Sequence, residues 1–339
     1  MYSSLNRKYE FTIIAETADR FIDFSPYVAS INNNGIISFQ AESANGITGI
    51  YSGDGKSLNI IIKSAESKFK KIYSHPDINN ASEYCFYAEQ NSGSEGVFLY
   101  RNNDTASLAD TDSIFKSIGP LGPVMNEAGE VAFRADLNTG HSGIFICNSS
   151  GVSKIADTES MFAEFSGLPV INSEGTVAFS AAMKNHVKGI CKSNDGSYEV
   201  IADTGNEFTD FGRFADINDA GIIVFTALNI NGSPGIFTYY NREINSVAET
   251  ADGFESFRIA LINNSGNIIF YGVTKEGKEG VFKGNDPAED MIISLKDNLF
   301  DSPVSEIVFN PVSLNDKGQI ALRIKLENDH QLILRAELY

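Results

Sequence analysis

Apolar and polar positions repeat along this chain with a period of about 46 residues. Each period contains an apolar residue, Asn, two variable positions and Gly, followed by a short apolar strand that in most copies ends in Phe. The repeated Asn residues are Asn32, Asn79, Asn126, Asn172, Asn218, Asn263 and Asn315, with spacings of 47, 47, 46, 46, 45 and 52 residues. A fixed period of this size is typical of repeat architectures, so one structural unit is expected seven times.

Each period reads as four short antiparallel strands joined by tight turns. In the fourth copy, alternating or apolar runs occupy residues 168–172, 176–181, 188–192 and 198–202. The Asn-x-x-Gly segment suits a hairpin connection, because Asn can bond its own backbone and Gly supplies the positive φ of the turn. The pattern therefore predicts small four-stranded sheets.

Seven four-stranded units predict an all-β protein, a seven-bladed β-propeller. Residues 8–17 have the pattern of a fourth strand, whereas residues 312–335 have the patterns of first, second and third strands. We therefore expect the N-terminal strand to complete the last blade in a three-plus-one arrangement, which leaves no long open edge. Residues 1–339 are expected to form a single domain.

Two copies, NEAGEVAF at residues 126–133 and NSEGTVAF at residues 172–179, carry a distinctive motif. With them the chain resembles the bacterial tandem-repeat family named for its N-x-x-G-x-x-A-F motif, over its entire length. The resemblance implies repeated β-structure and says almost nothing about activity. Members of that family are usually surface proteins, whereas this chain has neither a secretion signal nor a C-terminal anchor that we recognise.

Charge and cysteine content narrow the expected partners and location. The net charge of −18 argues against binding to nucleic acid and to anionic membranes. Cys85, Cys147 and Cys191 occupy strand positions that are apolar in other repeats, so they are expected to be buried free thiols in a reducing compartment. These features predict a cytoplasmic monomer with a small-molecule ligand, and a protein partner stays open.

The positions at which the repeats differ are the candidates for function. Around the expected channel mouth, blades three and four present small or apolar residues, whereas other blades present polar ones. As ligand contacts we predict Arg213 and Arg258, which suit anion binding, with Asp216 and Tyr73. If the protein is an enzyme, the predicted catalytic residues are His75, Asp77 and Tyr27.

The second repeat departs most from the pattern. Ser82 replaces its motif Gly, and residues 68–73 form a dense basic cluster in an otherwise acidic chain. Residues 301–307, in the longest linker, are expected to form a loop at the same mouth. No cofactor is expected and no metal site, because the histidines lack ligands at zinc spacing. A calcium site at the Asn-x-x-Gly turns is a less favoured alternative, since the variable positions are too interchangeable for hard-cation ligands.

Three functions are compatible with this pattern. The favoured one is binding of a small anionic or aromatic ligand at one mouth of the channel. The first alternative is a natural-product biosynthetic enzyme of the alkylating, cyclising or lyase type. The second alternative is a protein-interaction platform. The sequence does not decide whether the protein is catalytic, because function has to be argued from the site and not from the fold.

Overall fold

A computed structural model describes residues 8–18, 20–24, 26–194 and 196–338. Their strands form seven antiparallel sheets, the blades, arranged as a propeller. The N-terminal strand is β1 (Tyr9–Glu16). Blade one contains β2 (Phe21–Asp23), β3 (Ser30–Ile31), β4 (Ile37–Ser43), β5 (Thr48–Gly53) and β6 (Leu58–Lys63); blade two contains β7 (Phe69–Ile78), β8 (Tyr84–Gln90), β9 (Glu95–Arg101) and β10 (Asp104–Asp110); blade three contains β11 (Phe115–Ile118), β12 (Val124–Met125), β13 (Val131–Leu137), β14 (Ser142–Asn148) and β15 (Gly151–Asp157).

The remaining blades follow the same order. Blade four contains β16 (Phe162–Ile171), β17 (Val177–Met183), β18 (Lys188–Asn194) and β19 (Ser197–Asp203); blade five contains β20 (Phe208–Ile217), β21 (Ile223–Asn229), β22 (Pro234–Tyr240) and β23 (Glu243–Glu249); blade six contains β24 (Phe254–Ile262), β25 (Ile268–Thr274), β26 (Glu279–Phe282) and β27 (Met291–Ser294); blade seven contains β28 (Asn298–Leu299), β29 (Ser302–Val308), β30 (Ile320–Leu326) and β31 (Gln331–Leu338). Short 3-10 turns occur at Ser64–Glu66, Thr250–Asp252 and Pro311–Ser313. None of the described helical segments is long and apolar enough to cross a membrane.

Closure of the ring follows the prediction. Strand β1 pairs antiparallel with β31, from Tyr9 opposite Leu338 to Glu16 opposite Leu332. The N-terminal strand is therefore the fourth main strand of blade seven, and the three-plus-one arrangement is confirmed. The edge that β31 would otherwise expose is covered by this pairing.

The first strand of the last blade differs from the sequence prediction. Residues 301–307 were expected to form a loop, but Ser302–Val308 is strand β29, paired with β30. Residues 311–313, where the first strand was expected to begin, instead form a 3-10 turn. The turn-forming residues Asp301, Ser302 and Pro303 hide the strand in the sequence, whereas buried Val304 and Ile307 hold it in the sheet.

In blades four, five and six, a Phe-x-x-Phe segment forms the beginning of the first strand. In blade four, Phe162 and Phe165 belong to β16, and both rings contact Phe179 of β17, at centroid distances of 5.8 and 5.9 Å. All three rings are buried in one apolar cluster that extends over blades three to five. These aromatic contacts stabilise blade four itself, and the cluster that contains them joins this blade to its neighbours.

Most first strands are interrupted by a bulge halfway along their length. The pairing breaks between Tyr73 and Asp77 in blade two, and between Ser166 and Val170 in blade four. Blade five breaks between Phe211 and Ala215. The extra residues of a bulge bend the strand and change the direction in which its side chains point.

Apolar side chains from these bulges fill the middle of the channel. Leu168 and Val312 belong to one buried cluster, although they come from blades four and seven. Phe214 packs against that cluster and also against the cluster that contains Ile259. We call Leu168, Phe214, Ile259 and Val312 the apolar plug. We name the two ends of the channel by their features: the asparagine mouth lies at the Asn-x-x-Gly turns, and the bulge mouth lies at the bulges of the first strands.

Candidate functional site

The motif asparagines form a ring of hydrogen bonds around the asparagine mouth. In most blades the Nδ2 group donates to the backbone carbonyl of the next motif Asn, as from Asn172 to Asn218 at 3.1 Å. The Oδ1 atom accepts backbone N–H groups of its own turn, as Asn172 does from Glu174 and Thr176. At Asn79 the amide donates instead to the Glu83 carboxylate. Each motif Asn therefore has a structural role.

The residues that follow the motif asparagines form a second ring. Asp316 Oδ1 accepts from the backbone of Asn264, and Asn33 Oδ1 accepts from the backbone of Asp316. Asp219 Oδ1 accepts from the backbone of Ser173 in the same way. These side-chain oxygens were the possible calcium ligands in the sequence. In the structure they accept hydrogen bonds from backbone N–H groups of neighbouring blades.

The cavity at the asparagine mouth is small and acidic. Its volume is about 150 Å³, and the described residues that line it include no Lys, Arg or His. Its carboxylates are those of Asp77, Glu127, Asp216, Asp219 and Asp316. Burial raises the pKa of Glu127, and the neighbouring negative charges raise it further. An acidic cavity of this kind repels anions.

Asp77 and Asp216 lie in the channel wall and join adjacent blades. Asp77 accepts the backbone N–H groups of Ile78 and of Met125 in the next blade, both at 2.8 Å. Asp216 repeats this arrangement at the junction of blades five and six. Burial raises the pKa of each carboxyl to about 7. The backbone N–H donors lower the pKa, because they favour the ionised form, but burial has the larger effect. Both oxygens of each side chain are occupied by backbone.

The bulge mouth brings together the tyrosines predicted from the sequence. The backbone N–H of Ser74 bonds the hydroxyl of Tyr27, and Tyr73 is the residue before Ser74. Ser74 has a φ of 99°, which is unusual for a residue with a side chain. Its hydroxyl accepts from the backbone of Tyr87 and donates to the carbonyl of His75. Strained backbone of this kind is often found at functional sites.

Blade two contains several buried polar atoms that lack a hydrogen-bond partner among the described residues. Neither ring nitrogen of His75 is hydrogen-bonded to any described residue, and the hydroxyl of Tyr87 is likewise unpaired, whereas the Tyr73 hydroxyl lies beside the Glu95 carboxylate. His75 is 4% exposed and Tyr87 is 1% exposed. Burial lowers the pKa of His75 to about 4, so the ring is neutral at physiological pH. Burial, followed by the nearby Glu95 carboxylate, raises the pKa of Tyr73.

One segment of blade three covers these side chains. A Cβ atom on Gly122 would lie 2.5 Å from the His75 ring, and one on Gly119 would lie 3.9 Å from the Tyr87 ring. The absence of a side chain at Gly122 therefore makes room for the imidazole. We call residues 119–122, together with the side chains of Tyr73, His75 and Tyr87, the blade-two pocket.

Two arginines stand next to the blade-two pocket. The Arg134 guanidinium donates a hydrogen bond to the carbonyl of Gly167 at 3.2 Å. It also lies close enough to Tyr87 for the two side chains to interact electrostatically. Burial lowers its pKa, and the nearby guanidinium of Arg213 lowers it further. Arg213 itself is exposed. Two adjacent guanidinium groups form a centre of positive charge in a chain of net charge −18.

Arg258, the other arginine predicted to hold an anion, is paired within the protein. Its guanidinium lies 2.7 Å from the carboxylate of Glu279 and over the ring of Tyr271 at 4.9 Å. In blade seven, Arg323 is bonded in the same manner to Glu306. Arg258 and Arg323 are thus paired with carboxylates. Arg134 and Arg213 form no such ion pair among the described residues, although the carboxylates of Glu164 and Asp136 lie near Arg134 and raise its pKa.

Sequence reasoning missed Arg134 and Tyr87. Both lie eight positions after a motif Asn, on second strands, where the seven repeats differ from one another. The residues at this position are Gln40, Tyr87, Arg134, Ser180, Thr226, Tyr271 and Arg323. Comparing the repeats along their second strands, as well as their first, would have identified both residues.

Other sequence candidates lie elsewhere. The basic cluster of residues 68–73 is tied down locally: Lys70 pairs with Glu89 at 2.6 Å, and Lys68 donates to the carbonyl of Thr105. The three cysteines are buried and unpaired. Within the described ranges, no group of three His, Cys, Asp or Glu side chains is arranged to hold a metal ion.

Several solved structures have a similar fold. An oligogalacturonate lyase from Vibrio parahaemolyticus has a TM-score of 0.60 at 11% identity, with 98% of this chain and 97% of that chain covered. An oligogalacturonate lyase in complex with manganese also has a TM-score of 0.60, at 8% identity and 98% coverage of both chains. An acylaminoacyl peptidase from Pyrococcus horikoshii has a TM-score of 0.53 at 13% identity, covering 88% of this chain and 50% of that chain. At these identities the similarity establishes the propeller fold alone.

Sequence comparisons place the chain in a family without assigning an activity. No curated protein matches it in sequence. A family model described as "Family of unknown function (DUF7453)" matches residues 12–229 and 150–332. The two matches overlap and together span nearly the whole ring. Such an overlap is expected for a repeat protein, because the family model can be aligned with the chain starting at different repeats. The chain is a member of this DUF7453 family.

Proposed function

We propose that this propeller binds a small anionic ligand at the bulge mouth, between blades one and five. The observation that carries the proposal is the position of Arg134, which lies close both to Arg213 and to the unpaired hydroxyl of buried Tyr87. Nearly all buried polar groups in native proteins have hydrogen-bond partners, so a group of unpaired ones marks a place for a ligand.

The charges of the two mouths support this choice. An anion at the asparagine mouth would meet five carboxylates and no cation among the described lining residues. At the bulge mouth it meets the guanidiniums of Arg134 and Arg213, which suit carboxylate recognition. Partial burial of Arg134 strengthens that interaction, because a lower local dielectric increases the attraction between opposite charges.

The tyrosines give the site an aromatic wall. Tyr27 and Tyr73 are partly buried and adjacent, and Tyr87 is buried behind them. Aromatic rings offer large contact areas at little cost in side-chain entropy. A ligand with a ring therefore fits this mouth better than a bare inorganic anion.

The proposal is tested by isothermal calorimetry with benzoate and galacturonate as probes. The double variant Arg134→Gln/Arg213→Gln is expected to lose roughly tenfold or more in affinity, since each removed guanidinium–carboxylate bond contributes substantially. Arg258→Gln is the matched control, because Glu279 already holds that guanidinium. Equal loss in the control, or unchanged binding in the double variant, would contradict the proposal.

The other predictions from sequence rest on the sequence alone. They are the cytoplasmic location, membership of the N-x-x-G-x-x-A-F repeat family, and the two alternative functions, a biosynthetic enzyme and a protein-interaction platform. In the enzyme alternative, Asp77 has no role as a partner that orients His75, because its two oxygens accept backbone N–H groups. Proton transfer would then depend on the neutral ring of His75 with Tyr27 and Tyr73.

A further inference from the structure

The blade-two pocket holds two buried side chains whose polar atoms are unpaired. The hydroxyl of Tyr87 and the imidazole of His75 are uncharged, buried and without partners among the described residues, whereas the Tyr73 hydroxyl lies beside the Glu95 carboxylate. A tyrosine hydroxyl donates or accepts a hydrogen bond, and a neutral imidazole offers one donor and one acceptor. The pocket therefore suits a group that can both donate and accept.

A charged group does not suit the pocket. The His75 ring is buried against Gly122, and the corresponding position in blade four is occupied by the apolar residue Leu168. Burying an unpaired charge there would cost far more than burying a hydrogen-bonded hydroxyl. The nearest compensating charges belong to Arg134 and Arg213, which stand at the side of the pocket.

Resting on the function proposed above, we propose that the ligand is a ring carboxylate with a hydroxyl group on the ring. The carboxylate binds Arg134 and Arg213, the ring lies along the tyrosines, and the hydroxyl enters the blade-two pocket. There it bonds His75 and Tyr87. Two sources share this chemistry, an aromatic hydroxy acid and a sugar acid.

The test compares hydroxylated and bare carboxylates by calorimetry. The aromatic pair is 4-hydroxybenzoate with benzoate, and the non-aromatic pair is galacturonate with cyclohexanecarboxylate. In the unmodified protein the hydroxylated member of at least one pair is expected to bind roughly tenfold more tightly, as for other sites built around a hydroxyl group. The pair that shows the preference identifies the source. No preference in either pair would overturn the inference.

Variants of the blade-two pocket test whether its side chains cause the preference for the hydroxylated carboxylate. His75→Phe keeps a planar ring and removes both nitrogens, so the preference should fall to about twofold or less while affinity for the bare carboxylate changes little. Gly122→Ala should act in the same direction, because the added methyl group displaces the His75 ring. Tyr84→Phe is the control, since that hydroxyl bonds Ser52 outside the pocket. A preference that survives both pocket variants would overturn the inference.

The result separates this inference from the function on which it rests. If Arg134→Gln/Arg213→Gln weakens both members of a pair equally and His75→Phe does not change their ratio, the anion site stands and the hydroxyl pocket is refuted. If none of the four carboxylates binds the unmodified protein, the proposed function is refuted, and the hydroxyl inference with it.

Discussion

The side-chain amide of Asn315 donates a 2.9 Å hydrogen bond to the backbone carbonyl of Asn32, 283 residues earlier in the chain. This bond joins the last blade to the first. The Oδ1 atom of the same side chain accepts the backbone N–H groups of Lys317 and Gln319. One residue thus forms its own turn and helps to close the ring, which explains why the motif requires an amide with both a donor and an acceptor.

The difference between Asn172 and Asn79 tests the contribution of the bonds between blades. Alanine at either position removes the turn bonds; Asn172→Ala also removes a buried bond to the neighbouring blade, whereas Asn79→Ala removes a partly exposed bond to Glu83, which water can replace. We expect Asn172→Ala to lower the free energy of unfolding by about 1 kcal/mol more than Asn79→Ala does. Urea denaturation followed by circular dichroism measures both, and equal losses would refute the argument.

The pairing of β1 with β31 predicts strong destabilisation when residues 1–17 are removed. The deletion exposes the edge of β31 and uncovers the apolar cluster to which Ile14 and Ile333 contribute. We expect a clear fall in Tm, measured by scanning calorimetry. A synthetic peptide of residues 8–17 should restore part of that loss, whereas a Tm unchanged by the deletion would mean that the ring does not depend on this strand.

The buried carboxyls of Asp77 and Asp216 predict a dependence of stability on pH. Their pKa rises from 3.8 to about 7 on folding, so the folded protein binds more protons than the unfolded chain between these values. Their contribution to stability is therefore complete below pH 4 and is lost as the pH rises through 7. The slope is at most about 1.4 kcal/mol per pH unit for each residue.

Asparagine variants isolate this effect from other titrating groups. In Asp77→Asn/Asp216→Asn the free energy of unfolding should fall less steeply between pH 5 and 7 (~1 kcal/mol per unit or more of difference) than in the unmodified protein. Denaturant titrations at several pH values give the two slopes. Parallel slopes would show that these carboxyls stay ionised in the folded protein, held by their backbone donors.

The buried hydroxyls of Tyr73, which lies beside the Glu95 carboxylate, and of Tyr87, which has no partner among the described residues, predict different responses to phenylalanine. Removing a buried hydroxyl that lacks a partner should leave the stability of the ligand-free protein unchanged or raise it by about 1 kcal/mol. Tyr84→Phe, which loses the bond to Ser52, should instead lower it by about 1 kcal/mol. Thermal unfolding compares the three variants. A marked loss in Tyr87→Phe would mean that ordered water pairs with its hydroxyl.

Much of the architecture was predictable because each repeat is a local pattern. The spacing of Asn172 and Gly175, followed by an alternating strand, sets a hairpin within a few residues, and seven copies imply a ring. Strand β29 was missed because Asp301 to Pro303 look like a loop in isolation. Its place in blade seven depends on burial of Val304 and Ile307 against residues distant in the chain.

The sequence by itself determined the repeat, the closure and the blades in which to look, because strand alternation and turn chemistry act over short distances. It singled out His75, Tyr73 and Arg213 by their difference from other repeats. Only the tertiary structure decided that Asp77 bonds backbone while His75 bonds nothing described, and that Arg134 joins Arg213. Those relationships depend on which side chains meet across blades, and no pattern within one repeat specifies them.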